Sequence, residues 1–235
     1  CPREFVSQTT IDGLDAWRLV FADGFWQPEL SLLDDLPKGV QISGLGQSLG
    51  SEPQRIADLL GSALGQTPHG FIAMNSAFIG DGALIEIAPD TRVDKPIELL
   101  FISGCSGEGF LSLPRNLVVM GAGSQATVIE RHVSLADERL LSNSVSELIL
   151  ADNASLNYQG VQQVAPRGFH VGGMFARLGR SARLQATTVT MSGALVRNDA
   201  LVNLDDEGGF ASLDGLYLAF GRSHVDNHTH ITHNA

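Results

Sequence analysis

Three stretches decide the fold: "SQATVIE" (124–130), "DNASLNY" (152–158) and "RSARLQA" (180–186). Set above one another they align Ala126, Ala154 and Ala182, at spacings of 154 − 126 = 28 and 182 − 154 = 28. A fourth stretch, "DEGGFAS" (206–212), joins them if Gly208 takes the alanine place, at 208 − 182 = 26. Each copy then carries an apolar residue two positions on, at Val128, Leu156, Leu184 and Phe210. The intervening Thr127, Ser155, Arg183 and Gly209 are polar or small. Such alternation describes a strand with one buried face. A strand unit recurring at this period cannot bury its face alone and stacks on its neighbours. Propeller blades need about 40 residues and four strands each. At roughly 3.3 Å per residue, one repeat traces about 90 Å, enough for a flattened circuit of two or three strands. The expectation is a mainly β chain built as a parallel β-helix.

Outward from the repeat, the runs "ALIEIA", "IELLFIS", "NLVVM", "SELILA", "ALVRNDALVNL" and "GLYLAF" are short, apolar and separated by Gly, Asp, Asn, Ser and Pro. This texture holds from about Phe71, giving a β-helix core over residues 71–235 and a mixed α/β region over 1–70. In the latter, "WRLVFADGFWQPEL" reads as a hairpin turning at Asp23-Gly24, a dipeptide suited to positive φ. "SEPQRIADLLGSAL" reads as a helix capped by Ser51 with Gln54 three residues on. Its stripe of Ile56, Leu59, Leu60, Ala63 and Leu64 is a packing face.

The chain has 235 residues, 43% of them hydrophobic, enough to bury a core. Its 26 acids against 15 bases give a net charge of −11, which offers no electrostatic footprint for nucleic acid or an anionic membrane. No window approaches the roughly 18 to 20 apolar residues of a membrane span and no signal peptide opens the chain, so a soluble, cytoplasmic protein is expected. Cys1 and Cys105 are too few for a disulfide framework or a four-thiolate cluster site; Cys105, in "SGCSGEG", reads as a free loop thiol. Beginning at a cysteine and stopping after "THNA", the sequence reads as a piece of a longer protein.

Several motifs invite chemistry. Gly121, Gly123 and Ala126 of "GAGSQA" satisfy a dinucleotide fingerprint, but that motif needs a helix to follow and a strand-like run follows instead. No phosphate loop of the ATPase type occurs. Asp205, Asp206 and Glu207 of "DDEGG" could serve a carbohydrate-active β-helix enzyme, yet they fall at a repeat corner where a solvated turn is expected. In "HVDNHTHITHNA", His224, Asp226, His228 and His230 alternate and share one strand face. These residue types bind zinc or ferrous iron, but same-face neighbours stand nearly 7 Å apart. The expectation is no tight metal site, with these four as the candidates, and no catalytic or cofactor-binding residue.

"LVFADGFW", "FIAMNSAFIGDGALIEIAPDTRVDKPIELLF", "NLVVMGAGSQATVIERH" and "HVDNHTHITH", in that order, resemble the SufB/SufD family of iron-sulfur cluster assembly proteins, and within it the SufD branch. The resemblance implies a right-handed parallel β-helix acting as a non-catalytic scaffold. It implies an SufB-like partner and docking to SufC, an ABC-class ATPase, in a SufBCD complex where the cluster is held only transiently. Homodimerisation is the other partner reading. The resemblance also implies further coils and a C-terminal helical region carrying the SufC contact, which this sequence does not contain. SufB-like chains carry more of the thiols that handle sulfur, and the lone loop cysteine favours the SufD branch.

Overall fold

The computed structural model describes residues 3–65, 69–105, 109–135, 137 and 139–234. Fifteen strands form among them: β1 (Trp17–Ala22), β2 (Phe25–Trp26), β3 (Val40–Gly44), β4 (Ala83–Ile87), β5 (Ile97–Ser103), β6 (Leu111–Ser112), β7 (Arg115–Met120), β8 (Gln125–Ser134), β9 (Leu141–Leu150), β10 (Ser155–Gln163), β11 (Phe169–Leu178), β12 (Arg183–Ser192), β13 (Leu195–Leu204), β14 (Phe210–Tyr217) and β15 (His224–His233). Helices α1 (Arg3–Thr9), α2 (Leu45–Ser51), α3 (Pro53–Leu59) and α4 (Gly70–Ala77) belong to the N-terminal region.

The strands alternate between two sheets, β14-β12-β10-β8-β5-β1-β2 and β15-β13-β11-β9-β7-β4-β3. From β4 onward every neighbour is parallel, so the chain winds through about five coils of a β-solenoid, as the repeat predicts. At one end each sheet closes on an antiparallel strand, β2 on β1 and β3 on β4. At the other, β14 and β15 are edge strands. Inward side chains from both sheets, among them Leu99, Val128, Leu148, Leu156, Ala176, Leu184 and Val202, form one continuous core.

The register departs from the alignment of the repeat. Strands β10 and β12 pair at the expected interval, Ser155 with Arg183 and Leu156 with Leu184. On β8, however, Ala126 faces Leu156 and Val128 faces Tyr158, so the partner of Ala154 is Ser124. The slip is of two residues, an even number, and Ala126 and Val128 therefore still point inward. The fourth copy slips by one: Phe210 pairs with Arg183, 210 − 183 = 27, and turns outward. There it stands 42% exposed beneath the Arg183 guanidinium, 4.9 Å from the ring centre, while Ala211 takes the inward place beside Leu184.

A stacked corner fixes these registers. Asp90, Gly123, Asn153, Ser181 and Gly208 all have positive φ, between 54° and 74°. Each occupies the same corner of successive coils, tied by hydrogen bonds from Asp90 N to Ala122 O, Gly123 N to Asp152 O, Asn153 N to Arg180 O and Ser181 N to Glu207 O. Gly, Asn and Asp tolerate this conformation best and hold four of the five corners, with Ser181 the exception. The corner-to-corner spacing falls from 123 − 90 = 33 through 153 − 123 = 30 and 181 − 153 = 28 to 208 − 181 = 27, so no single period runs through the chain.

The N-terminal region follows its sequence in part. The hairpin turns at Asp23-Gly24, with φ of 49° and 87°. Ser51 does not cap α3: it ends α2 and bonds back to Gln47 O and Ser48 O, while α3 starts at Pro53 after Glu52. The apolar stripe does not lie on one helix: α3 ends at Leu59, Ile56, Leu59 and Leu60 pack in one cluster, and Ala63 and Leu64 pack in another beyond the turn at Gly61. "FIAMNSA", expected in the β region, is helical: α4 buries Ile72 against Val145 and Phe175 on the outer face of the solenoid.

Candidate functional site

Inward parity, continued along β8 past Val128, brings Glu130 and His132 into the solenoid lumen. The carboxylate of Glu130 is 5% exposed and accepts five hydrogen bonds. His132 Nε2 and Ser144 Oγ reach Oε1 at 2.7 and 2.8 Å; Asn116 Nδ2, Ser146 Oγ and Tyr158 Oη reach Oε2 at 3.1, 2.5 and 2.5 Å. Apart from His132, on β8 itself, these donors come from β7, β9 and β10, so one anion ties both sheets and adjacent coils. Burial alone would raise the Glu130 pKa, but the hydrogen bond and charge of His132, with the bonds of Ser146 and Tyr158, bring it down to about 2. Burial, then the charge of Glu130, pushes the Tyr158 hydroxyl well above its ordinary range.

His132 stacks on Phe101 at 4.8 Å, Phe101 on Phe21 at 4.5 Å, and His170 of β11 approaches His132 at 4.6 Å. Burial, and then His132, depress the His170 pKa well below the ordinary imidazole value, so its ring is neutral at pH 7. Two further buried ion clusters lie on the outer faces, under the N-terminal region. Glu98 joins Arg18 and, at 2.7 Å, Arg131 across β1, β5 and β8. Glu147 takes Arg115 at 2.5 Å and the backbone N–H groups of Gly61 and Ala63 at 2.8 and 3.0 Å, anchoring the segment after α3 to β9.

His224, Asp226, His228 and His230 of β15 do share a face, the outer one, opposite Leu195, Arg197, Asp199 and Leu201 of β13. Asp226 is engaged by Arg197 at 3.1 Å and by His228 Nε2 at 2.9 Å. Arg197 also holds Asp199, which bonds His69 Nε2 at 2.8 Å. A guanidinium thus occupies the space between these acids, and among the described residues no three His, Cys, Asp or Glu side chains converge as metal ligands.

The remaining candidates separate. "GAGSQA" leads from β7 into β8, a strand, which leaves no helix N-terminus for a pyrophosphate. Asp205, Asp206 and Glu207 sit at a corner and pair with Arg177 and Arg180 at 2.7 to 2.9 Å. Cys105 lies near Asp23; burial and then that carboxylate push its thiol up to about 11. Cys1 lies outside the described residues. No described helix is long and apolar enough to cross a membrane.

Two family models match the chain: the SufBD protein N-terminal region over residues 5–99, and the SufBD core domain of the SUF system for FeS cluster assembly over 102–235. An iron-sulfur cluster assembly SufBD family protein of Synechocystis is 26% identical over 225 residues, covering 92% of this chain and 49% of that protein. The iron-sulfur cluster assembly protein SufD of Escherichia coli is 26% identical over 223 residues, covering 94% of this chain and 50% of that protein. SufD of Bacillus subtilis is 21% identical over 167 residues, covering 70% and 38%. The chain spans about half the length of the curated relatives it matches first.

Proposed function

The chain belongs to the SufBD family of iron-sulfur cluster assembly proteins, and on that premise we propose that it serves as a non-catalytic, SufD-type scaffold. In this reading it works in the cytoplasm with an SufB-like subunit and an ABC-class ATPase of the SufC type, and the cluster resides only transiently in the assembly. The observation that carries the reading is a family match running through both the N-terminal region and the solenoid. Its polar residues are spent on structure: the lumen carboxylate is saturated by donors, the corner acids are paired with arginines, and the one described thiol is held protonated at pH 7.

Anaerobic affinity purification of the full-length protein tests the reading. Co-elution of an SufB-like chain and an ATPase at fixed stoichiometry is expected; elution alone, with hydrolytic activity on a polysaccharide, would overturn it.

A further inference from the structure

Beside Glu130 the lumen widens. A cavity of about 40 Å³ is bounded by His132, Tyr158, Gln162, His170, Thr188 and Asn198. It shares Met174, Thr188, Asn198 and Ala200 with a larger space of about 260 Å³, which runs to Tyr217 and Thr229 of the last coil. Two glycines create the room. A side chain at Gly172 would begin 2.8 Å from His170 Nε2 and 3.6 Å from Asn198 Oδ1; one at Gly160 would begin 3.7 Å from both Gln162 Nε2 and Thr188 Oγ1. Each glycine gap is therefore flanked by two polar side-chain atoms.

His170 defines the chemistry of the first gap. Its ring is 1% exposed and Nδ1 has no hydrogen-bond partner among the described residues. A buried lone pair without a partner is tolerated more readily than a buried N–H, so the proton is assigned to Nε2, which aims it over Gly172. That donor needs an acceptor of small size, because an enclosed water takes about 10–15 Å³ of cavity and two to four polar partners.

We propose that the two glycine gaps form a built binding site for two or three ordered waters, or neutral hydrogen-bonding solutes of that size. The waters would accept from His170 Nε2, bond Asn198, Gln162 and Thr188, and continue the Glu130–His132 chain along the lumen.

High-resolution crystallography and oxygen-17 magnetic relaxation dispersion test the proposal on wild type, Gly160→Ala and Gly50→Ala. The Gly160→Ala methyl meets only ordinary contacts and so should be accommodated, whereas Gly50, in α2 away from the lumen, has nothing within 4 Å and controls for the glycine change itself. Expected are ordered waters at both gaps, with at least one fewer long-lived water in Gly160→Ala and no loss in Gly50→Ala. A cavity without solvent density in wild type, or equal water counts in wild type and Gly160→Ala, would overturn it.

Discussion

Replacing Glu130 with glutamine keeps the shape of the side chain and removes its charge. The carboxyl pKa falls from an ordinary 4.5 to about 2 in the folded chain. At about 1.36 kcal/mol per unit this is worth about 3 kcal/mol of stability at neutral pH. The group is 5% exposed, so solvent screening takes little from the figure. The amide recovers it only in part: one oxygen remains to accept, and its NH2 must face either Asn116 Nδ2, itself a donor, or His132 Nε2, which would have to surrender its proton to accept. Because the folded pKa is depressed, the carboxylate's contribution is fully present above about pH 4.5 and is lost as pH falls toward 2. Roughly half of it remains at pH 3. Urea unfolding of wild type and Glu130→Gln across this range should show a gap of about 3 kcal/mol at pH 7 that narrows steadily with acid. A gap below about 1 kcal/mol at pH 7, or one that stays constant down to pH 3, would refute the reasoning.

The register makes Leu184→Ala cost about 2–5 kcal/mol, because Leu184 is fully buried, whereas Phe210→Ala should cost under about 1 kcal/mol, its ring being outward against Arg183; thermal unfolding of both distinguishes this register from the 26-residue alignment, which buries Phe210. With its thiol pushed up to about 11, Cys105 should alkylate at least tenfold more slowly than a free thiol at pH 7.5 and accelerate as pH rises; an ordinary rate at pH 7.5 would contradict that. Anaerobic titration with zinc and ferrous iron should find no one-to-one site of micromolar affinity on β15, since Arg197 already engages Asp226; a tight site lost in His228→Ala would reverse the assignment.

Much of this architecture is legible in the sequence, and the misses have particular causes. The alanine alignment found the solenoid because parity survives an even slip, yet it misplaced β8 by two residues and β14 by one. A better guide was present: Asp90, Gly123, Asn153 and Gly208 are residue types that tolerate positive φ, and aligning them with Ser181 gives the observed corners. Helix α4 was hidden because "FIAMNSA" is a short apolar run that periodicity cannot assign between strand and helix. Glu130, His132 and Tyr158 were legible in principle, since they continue the inward parity of Val128 and Leu156. Their saturation was not, because the donors arrive from Asn116, Ser144 and Ser146 on the opposite sheet. The histidines of β15 were placed on one face correctly, but the arginine that fills their surroundings comes from β13, 29 residues earlier by the Arg197–Asp226 pair.

The central claim is that this chain supports cluster assembly without performing it alone. Anaerobic reconstitution of the full-length protein, with and without its SufB-like and ATPase partners, tests that claim most directly through the visible absorption and native mass of each species. The account predicts a bound iron-sulfur cluster only in the assembly containing the SufB-like chain. A cluster formed and retained by the full-length protein on its own would contradict it.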